Sequence, residues 1–270
     1  MILKPPWPAE LDLNDPINTG LVGRWLFNEG GGNLVNDISG SRNHIDTFSG
    51  GATWGTGVGG RGLLCGYNNA DYASAPDHPA HTDNPGTTLL VWASNAKDVI
   101  AGSGAEYMVT KASSFQLFWS NTEQIYAAVR IEASSKGAPT ADSTQVKGTA
   151  LSQYGFVHDN LTLTPIFNGV VYTASAAAAV GDIDNTANAV LFGGDGGNGS
   201  WDGIIYQAVL YARALTPSEI ARLYREPNAG LKVVDRLPLI IGAMGGGGEP
   251  ATFKPYWIPR RHQTIGAGVI

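Results

Sequence analysis

Ser200 to Tyr224 reads S-W-D-G-I-I-Y-Q-A-V-L-Y-A-R-A-L-T-P-S-E-I-A-R-L-Y, and this stretch decides the fold. Ile204 to Leu210 is a run of alternating and β-branched apolar residues, suited to a strand with a buried face. Just beyond it, Thr216-Pro217-Ser218-Glu219 spells a helix start. Thr216 can act as N-cap, Pro217 stands at N1 where its missing N–H costs nothing, and Glu219 at N3 closes a capping box. Ile220, Leu223 and Tyr224 form one apolar stripe, and Pro227 ends the helix after about two turns. A helix this short is unstable alone and has to dock on a sheet. The expected fold is all-β: an antiparallel two-sheet β-sandwich closed by one short C-terminal helix.

Composition agrees. The chain has 270 residues, 36 of them glycine and only 15% charged, which suits a turn-rich β protein better than a helical one. Its single cysteine, Cys65, rules out a disulfide framework and reads as a buried strand thiol. No run of about 18 apolar residues is available to span a bilayer. The N-terminus, M-I-L-K-P-P-W-P, has no signal-peptide apolar core, so synthesis in the cytoplasm without a signal peptide is expected. Residues 228–270 hold five Lys/Arg against two Asp/Glu, a net of +3, which leaves −9 for residues 1–227. An acidic body of this kind is a poor nucleic-acid binder.

Strands are expected at Gly23–Phe27, Gly62–Gly66, Tyr72–Ala75, Thr87–Ala93, Tyr107–Lys111, Phe115–Ser120 and Ile125–Glu132. Further strands are expected at Gln145–Gly148, Tyr154–His158, Leu161–Phe167, Val170–Ala174, Ala189–Phe192 and Ile204–Tyr211. Asn168-Gly169 between two β-rich runs is the clearest hairpin signal. Three parts follow: an N-terminal arm over 1–19, rich in proline; the sandwich over 20–227; and an extended C-terminal tail over 228–270.

Several motifs point to one family. Gly20 to Gly32 reads G-L-V-G-R-W-L-F-N-E-G-G-G; Asp37 to His44 reads D-I-S-G-S-R-N-H; Gly66 to Tyr72 reads G-Y-N-N-A-D-Y. With the closing D-G-I-I-Y-Q-A-V-L-Y-A-R-A-L stretch, the series resembles the laminin-G-like branch of the concanavalin A-like lectin/glucanase fold over about residues 20–226. The resemblance implies a jelly-roll sandwich. It also implies a structural Ca²⁺ near the D-x-S-G-x-x-N loop, with Asp37, Asn43 and Asp71 at the matching positions. Hard oxygen ligands suit that ion. However, Tyr206-Gln207 replaces the acidic pair of the family's closing strand, which weakens such a site, and an Asx-turn at Asp37 explains the loop more simply.

Chemistry is sparse. The glucan hydrolases of this superfold resemble one another through E-x-D-x-x-E on one strand; this chain has no such triplet. Nor does any histidine follow a nucleophile elbow, or Gly30-Gly31-Gly32 or Gly193–Gly197 end in a phosphate-loop Lys-Ser/Thr. No catalytic residue is assigned. Sugar binding, the family's usual use, needs an aromatic to stack on the ring and polar loops around it. Trp54, Trp119 and Trp201, with Asn121, Asp195 and Asn198, are the candidates, while Trp25 and Trp92 sit mid-strand as core.

The motif forms resemble those carried by tailed bacteriophages. The expected function is therefore a non-enzymatic virion structural protein, a capsid decoration or tail/fibre component in an oligomeric assembly. Its partners would be other virion subunits, held through the arms, and a cell-surface glycan. Phe253, Tyr256, Trp257, Ile258, Arg260 and Arg261 would anchor the tail. A carbohydrate-binding module of a bacterial or phage surface protein and a degraded glycoside hydrolase are the alternatives.

Overall fold

The computed structural model describes residues 4–5, 9–67, 70–81, 85–96, 104–120, 124–139, 150–173, 176–197 and 199–232. Among these, two antiparallel sheets form a sandwich. The seven-stranded sheet runs in the order Ser134–Pro139, Ile125–Ile131, Phe115–Trp119, Glu106–Lys111, Val190–Phe192, Tyr72–Ala75, Thr47–Ser49. The nine-stranded sheet runs Val170–Val171, Thr162–Phe167, Ser152–His158, Thr87–Asn95, Gly203–Tyr211, Gly60–Cys65, Thr53–Gly57. Ala177–Ala178 joins it on Thr162–Phe167, and Leu21–Trp25 on Gly203–Tyr211.

The two sheets differ in how water meets them. Strand Ile125–Ile131 alternates buried and half-buried positions, so the seven-stranded sheet keeps one open face. Strand Thr87–Asn95 is buried throughout, as a strand covered on both sides must be. Trp25, Val91, Leu117, Trp119, Phe192 and Trp201 pack between the sheets. Leu90, Trp92, Val209 and Tyr211 face outward from the nine-stranded sheet and are covered by Ile17, Leu215, Ile220 and Leu223.

That cover is the helix Pro217–Arg225, and its start is built as the sequence predicts. Thr216 Oγ1 accepts the Glu219 N–H at 3.3 Å, and Glu219 Oε2 accepts the Thr216 N–H at 2.8 Å. Arg213 grips the same carboxylate with bonds of 3.0 and 2.6 Å, and its hydrogen bonds are the main cause that holds the Glu219 carboxyl down at about 2. Ile220 and Leu223 have no exposed surface. Tyr224 departs from expectation: it is 42% exposed. One residue past Leu223 turns the side chain about 100° around the helix, out over the Asn168-Gly169 turn rather than into the core.

The cover also draws on chain outside the expected 20–227 boundaries. Glu10–Leu11 pairs with Leu231–Lys232, and Ile17 is buried in the outer cluster. Asp15 accepts two bonds from Arg222, at 2.9 and 2.6 Å. Arg24, wholly buried, donates to the carbonyls of Ala229 at 2.8 Å and Pro227 at 2.9 Å. The tail anchors Phe253, Tyr256, Trp257, Ile258, Arg260 and Arg261, like the expected strand Gln145–Gly148, lie outside the described residues.

Asn168 and Gly169 take φ of 48° and 78° between paired Phe167 and Val170, the two-residue turn that the Asn-Gly pair favours. Glu132 and Ala133 do the same with φ of 48° and 60°, linking Ile125–Ile131 to a strand, Ser134–Pro139, that the sequence does not announce. Thr47–Ser49 and Thr53–Gly57 are likewise unannounced; short edge pieces take their order from the neighbour's ladder.

Truncating Leu223 to alanine is expected to cost about 2–4 kcal/mol, as for a buried leucine, and Tyr224→Ala under about 1 kcal/mol. Urea unfolding of both variants checks the difference; equal losses would place the helix in another rotation on the sheet.

Candidate functional site

On the open face of the seven-stranded sheet, three aromatic residues stand side by side. Tyr107 pairs with Phe118, Phe118 with Tyr126, and Tyr126 with Pro139, so one row crosses four strands. The Tyr107 and Phe118 rings lie 5.0 Å apart at 41°, and Phe118 and Tyr126 lie 5.1 Å apart, stacked at 27°. All three are half-buried. Glycine makes room at both ends of the row. A Cβ on Gly137 would fall 2.4 Å from Tyr126 Cε1, and one on Gly199 2.6 Å from Tyr107 Cδ2.

A polar row lies beside it. Thr110 pairs with Gln116, Gln116 with Ala128, and Ala128 with Gly137. Thr110 Oγ1 and Ser114 Oγ are buried with no hydrogen-bond partner among the described residues. A groove of about 240 Å³ opens at Ser114, lined also by Ser113, Gln116, Arg130 and Ser135. Arg130 is tethered at its rim by Asp184 at 3.6 Å. At the other end, burial raises the Tyr107 phenol above its usual range, and the charge of Asp195 raises it further. Tyr107 thus stays a neutral O–H at physiological pH, able to donate and accept. The face offers a ladder of aromatic rings packed on one another, next to hydroxyls, an amide and a guanidinium.

The residues expected to bind sugar fare unevenly. Trp119 and Trp201 have no exposed surface and sit 6.2 Å apart in the inter-sheet core, so neither can stack on a ligand. Strand parity is the reason: Phe115, Leu117 and Trp119 share the inner face, which leaves Phe118 pointing outward. Trp54 is half-buried on the other sheet, packed on Phe48 at 5.4 Å, with its indole N–H donated to the Gly32 carbonyl at 2.7 Å. The structure does not bring it to the aromatic row. Asp195 does lie by that row, exposed, with its carboxylate accepting the Gly197 and Gly199 N–H groups. Asn121 and Asn198 lie outside the described residues. Tyr107, Phe118 and Tyr126 were missed. The alternation in F-Q-L-F-W and I-Y-A-A-V marks Phe118 and Tyr126 as outward, but not as neighbours.

A family model for the concanavalin A-like lectin/glucanases superfamily (Laminin_G_3) matches residues 67–221, more than half of the chain. The chain belongs to this superfamily. Solved structures with the same fold include the binding domain of Paraclostridial Mosquitocidal Protein 1, at TM-score 0.61 and 13% identity over 79% of this chain and 53% of that one. Domain 4 of the arabinanase AbnA from Geobacillus stearothermophilus, solved with arabinotriose, aligns at TM-score 0.57 and 14% identity, over 80% of this chain and 98% of that one. The binding domain of Botulinum Neurotoxin DC, solved with SialylT, aligns at 0.58 and 10%, over 77% and 51%. This chain thus spans about half the length of the two toxin domains. No curated protein matches it in sequence.

The D-x-S-G-x-x-N loop of this concanavalin A-like chain has its carboxylate filled by the chain's own donors. Asp37 Oδ1 accepts the Arg24 and Ser39 N–H groups at 2.9 and 2.8 Å, and Oδ2 accepts Ser39 Oγ–H and the Asn43 N–H, both at 2.8 Å. Asn43 spends its amide on the Pro76 carbonyl, and Asp71 accepts the Gly51 and Gly66 N–H groups. Tyr206 bonds Ser94, and Gln207 donates to Pro227. Among the described residues no three His, Cys, Asp or Glu side chains converge as a metal cluster. Four N–H and O–H donors already occupy both Asp37 oxygens, so these residues do not fit a cation. EDTA is therefore expected to leave the melting temperature unchanged, while Asp37→Ala lowers it by several degrees, roughly the loss of a buried hydrogen-bonded carboxylate. Calorimetry with and without Ca²⁺ decides this; a drop above about 10 °C in EDTA, restored by Ca²⁺, would reverse it.

Proposed function

We propose that this chain is a non-catalytic glycan-binding module whose platform is the row Tyr107, Phe118 and Tyr126. The single observation that carries the reading is three aromatic rings in register on the open face, next to unpartnered hydroxyls. A sugar ring presents an apolar C–H face and a rim of hydroxyls. The first suits an aromatic ring; the second suits Ser113, Ser114, Gln116 and Arg130. Solved structures of the same fold, including one with arabinotriose and one with SialylT, add support, as does the absence of an E-x-D-x-x-E triplet. On a glycan array the protein should bind a defined subset of oligosaccharides. Phe118→Ala and Tyr126→Ala should each weaken binding of those hits about tenfold, with Trp54→Ala unchanged. An array without hits, or two ring variants that bind like the parent, would sink the proposal.

We also propose a virion as the setting, with the module presented by a phage particle. The support is the form of the opening and closing motifs and the basic segment with Phe253, Tyr256, Trp257 and Ile258. Because Pro227, Ala229, Gly230 and Leu231 are bound into the cover, the test is truncation after Lys232 rather than after Pro227. Deleting 233–270 is expected to leave the melting temperature intact and to abolish incorporation into particles. Normal incorporation of the truncated chain would overturn the assignment.

A further inference from the structure

Where the helix ends at Arg225, the cover over the nine-stranded sheet stops, and a cleft of about 560 Å³ opens onto the sheet's outer face. Its floor holds Trp92 and Gln153, 2% and 0% exposed. Gln153 Oε1 accepts the Gly169 N–H at 3.0 Å, which fixes the orientation of the amide and turns Nε2 away. That Nε2, and Trp92 Nε1, have no hydrogen-bond partner among the described residues. Two buried N–H donors without an acceptor each forgo a full hydrogen bond, and both line one cavity.

The missing partner is an acceptor oxygen. A carboxylate gains little here, because Glu226 offsets the charge of Arg225 in the lining and the helix presents the negative end of its dipole. A neutral amide carbonyl suits it well. Around the donors are Leu151, Tyr224 and Ala229, which can take a methyl group and the flat side of a ring, and Ser152 and Asn228 at polar positions. We infer that this cleft is a second ligand site, separate from the aromatic row, that takes the acetamido group of an N-acetylhexosamine. The carbonyl oxygen accepts from Gln153 Nε2–H and Trp92 Nε1–H, and the pyranose lies along Tyr224.

The test uses the ¹⁵N-labelled full chain titrated with the methyl glycosides of N-acetylglucosamine and of glucose. The Trp92 indole N–H resonance, assigned by Trp92→Phe, is expected to move saturably with the first sugar and not with the second. Gln153→Glu keeps an oxygen for Gly169 and replaces the donating amide by an acceptor; it should weaken the N-acetylglucosamine response about tenfold. Phe118→Ala, which disables the aromatic row, should leave the Trp92 response unchanged, so the two sites fail separately. A Trp92 resonance that neither sugar moves, one that glucose moves equally, or an undiminished response in Gln153→Glu would overturn the inference.

Discussion

Strand Thr87–Asn95 is buried at each position, so water must be kept off both faces of the sheet it centres. The inner face finds the other sheet. The outer face, with Leu90, Trp92, Val209 and Tyr211, needs a lid. A nine-residue helix supplies part of it, and the chain on either side supplies the rest. The clasp is Arg24. Its guanidinium is buried with its N–H groups on the Pro227 and Ala229 carbonyls, and burial lowers its pKa to about 10. A buried cation survives only where such acceptors are in place, so the strap behind the helix and the strand Leu21–Trp25 fix one another.

Covering one sheet leaves the other to meet solvent. The open face of the seven-stranded sheet is where stacked rings can be afforded, since they rest on a rigid ladder and are half-buried already. The cleft beside Pro227 arises from the opposite cause: the lid is shorter than the sheet it covers. One candidate site thus follows from a sheet face left uncovered, the other from a cover that ends early.

Charged groups tell the same story. Asp37 and Asp71 sit where the resemblance places calcium ligands, yet their oxygens are occupied by N–H and O–H donors, from Arg24, Ser39 and Asn43 on Asp37 and from Gly51 and Gly66 on Asp71. Tyr206 and Gln207, in place of an acidic pair, bond Ser94 and Pro227 and serve the cover. Residues at the positions where the resemblance implies a metal site serve the fold through hydrogen bonds.

Local signals were legible where the chemistry is local. The Thr216–Glu219 capping box, the Asn168-Gly169 turn and the alternating apolar run of Ile204–Leu210 are each written within a few residues, and they determined the sandwich and its closing helix. The rotation that exposes Tyr224, the burial of Trp201, and the pairing of Leu231–Lys232 with Glu10–Leu11 were not. Each depends on which residue faces which neighbour across the fold. The aromatic row is the clearest case. Tyr107, Phe118 and Tyr126 come from three strands, and only strand register sets them side by side. Alternation in a sequence can say that a residue points outward; it cannot say what stands next to it, because that neighbour is chosen by hydrogen bonds between strands.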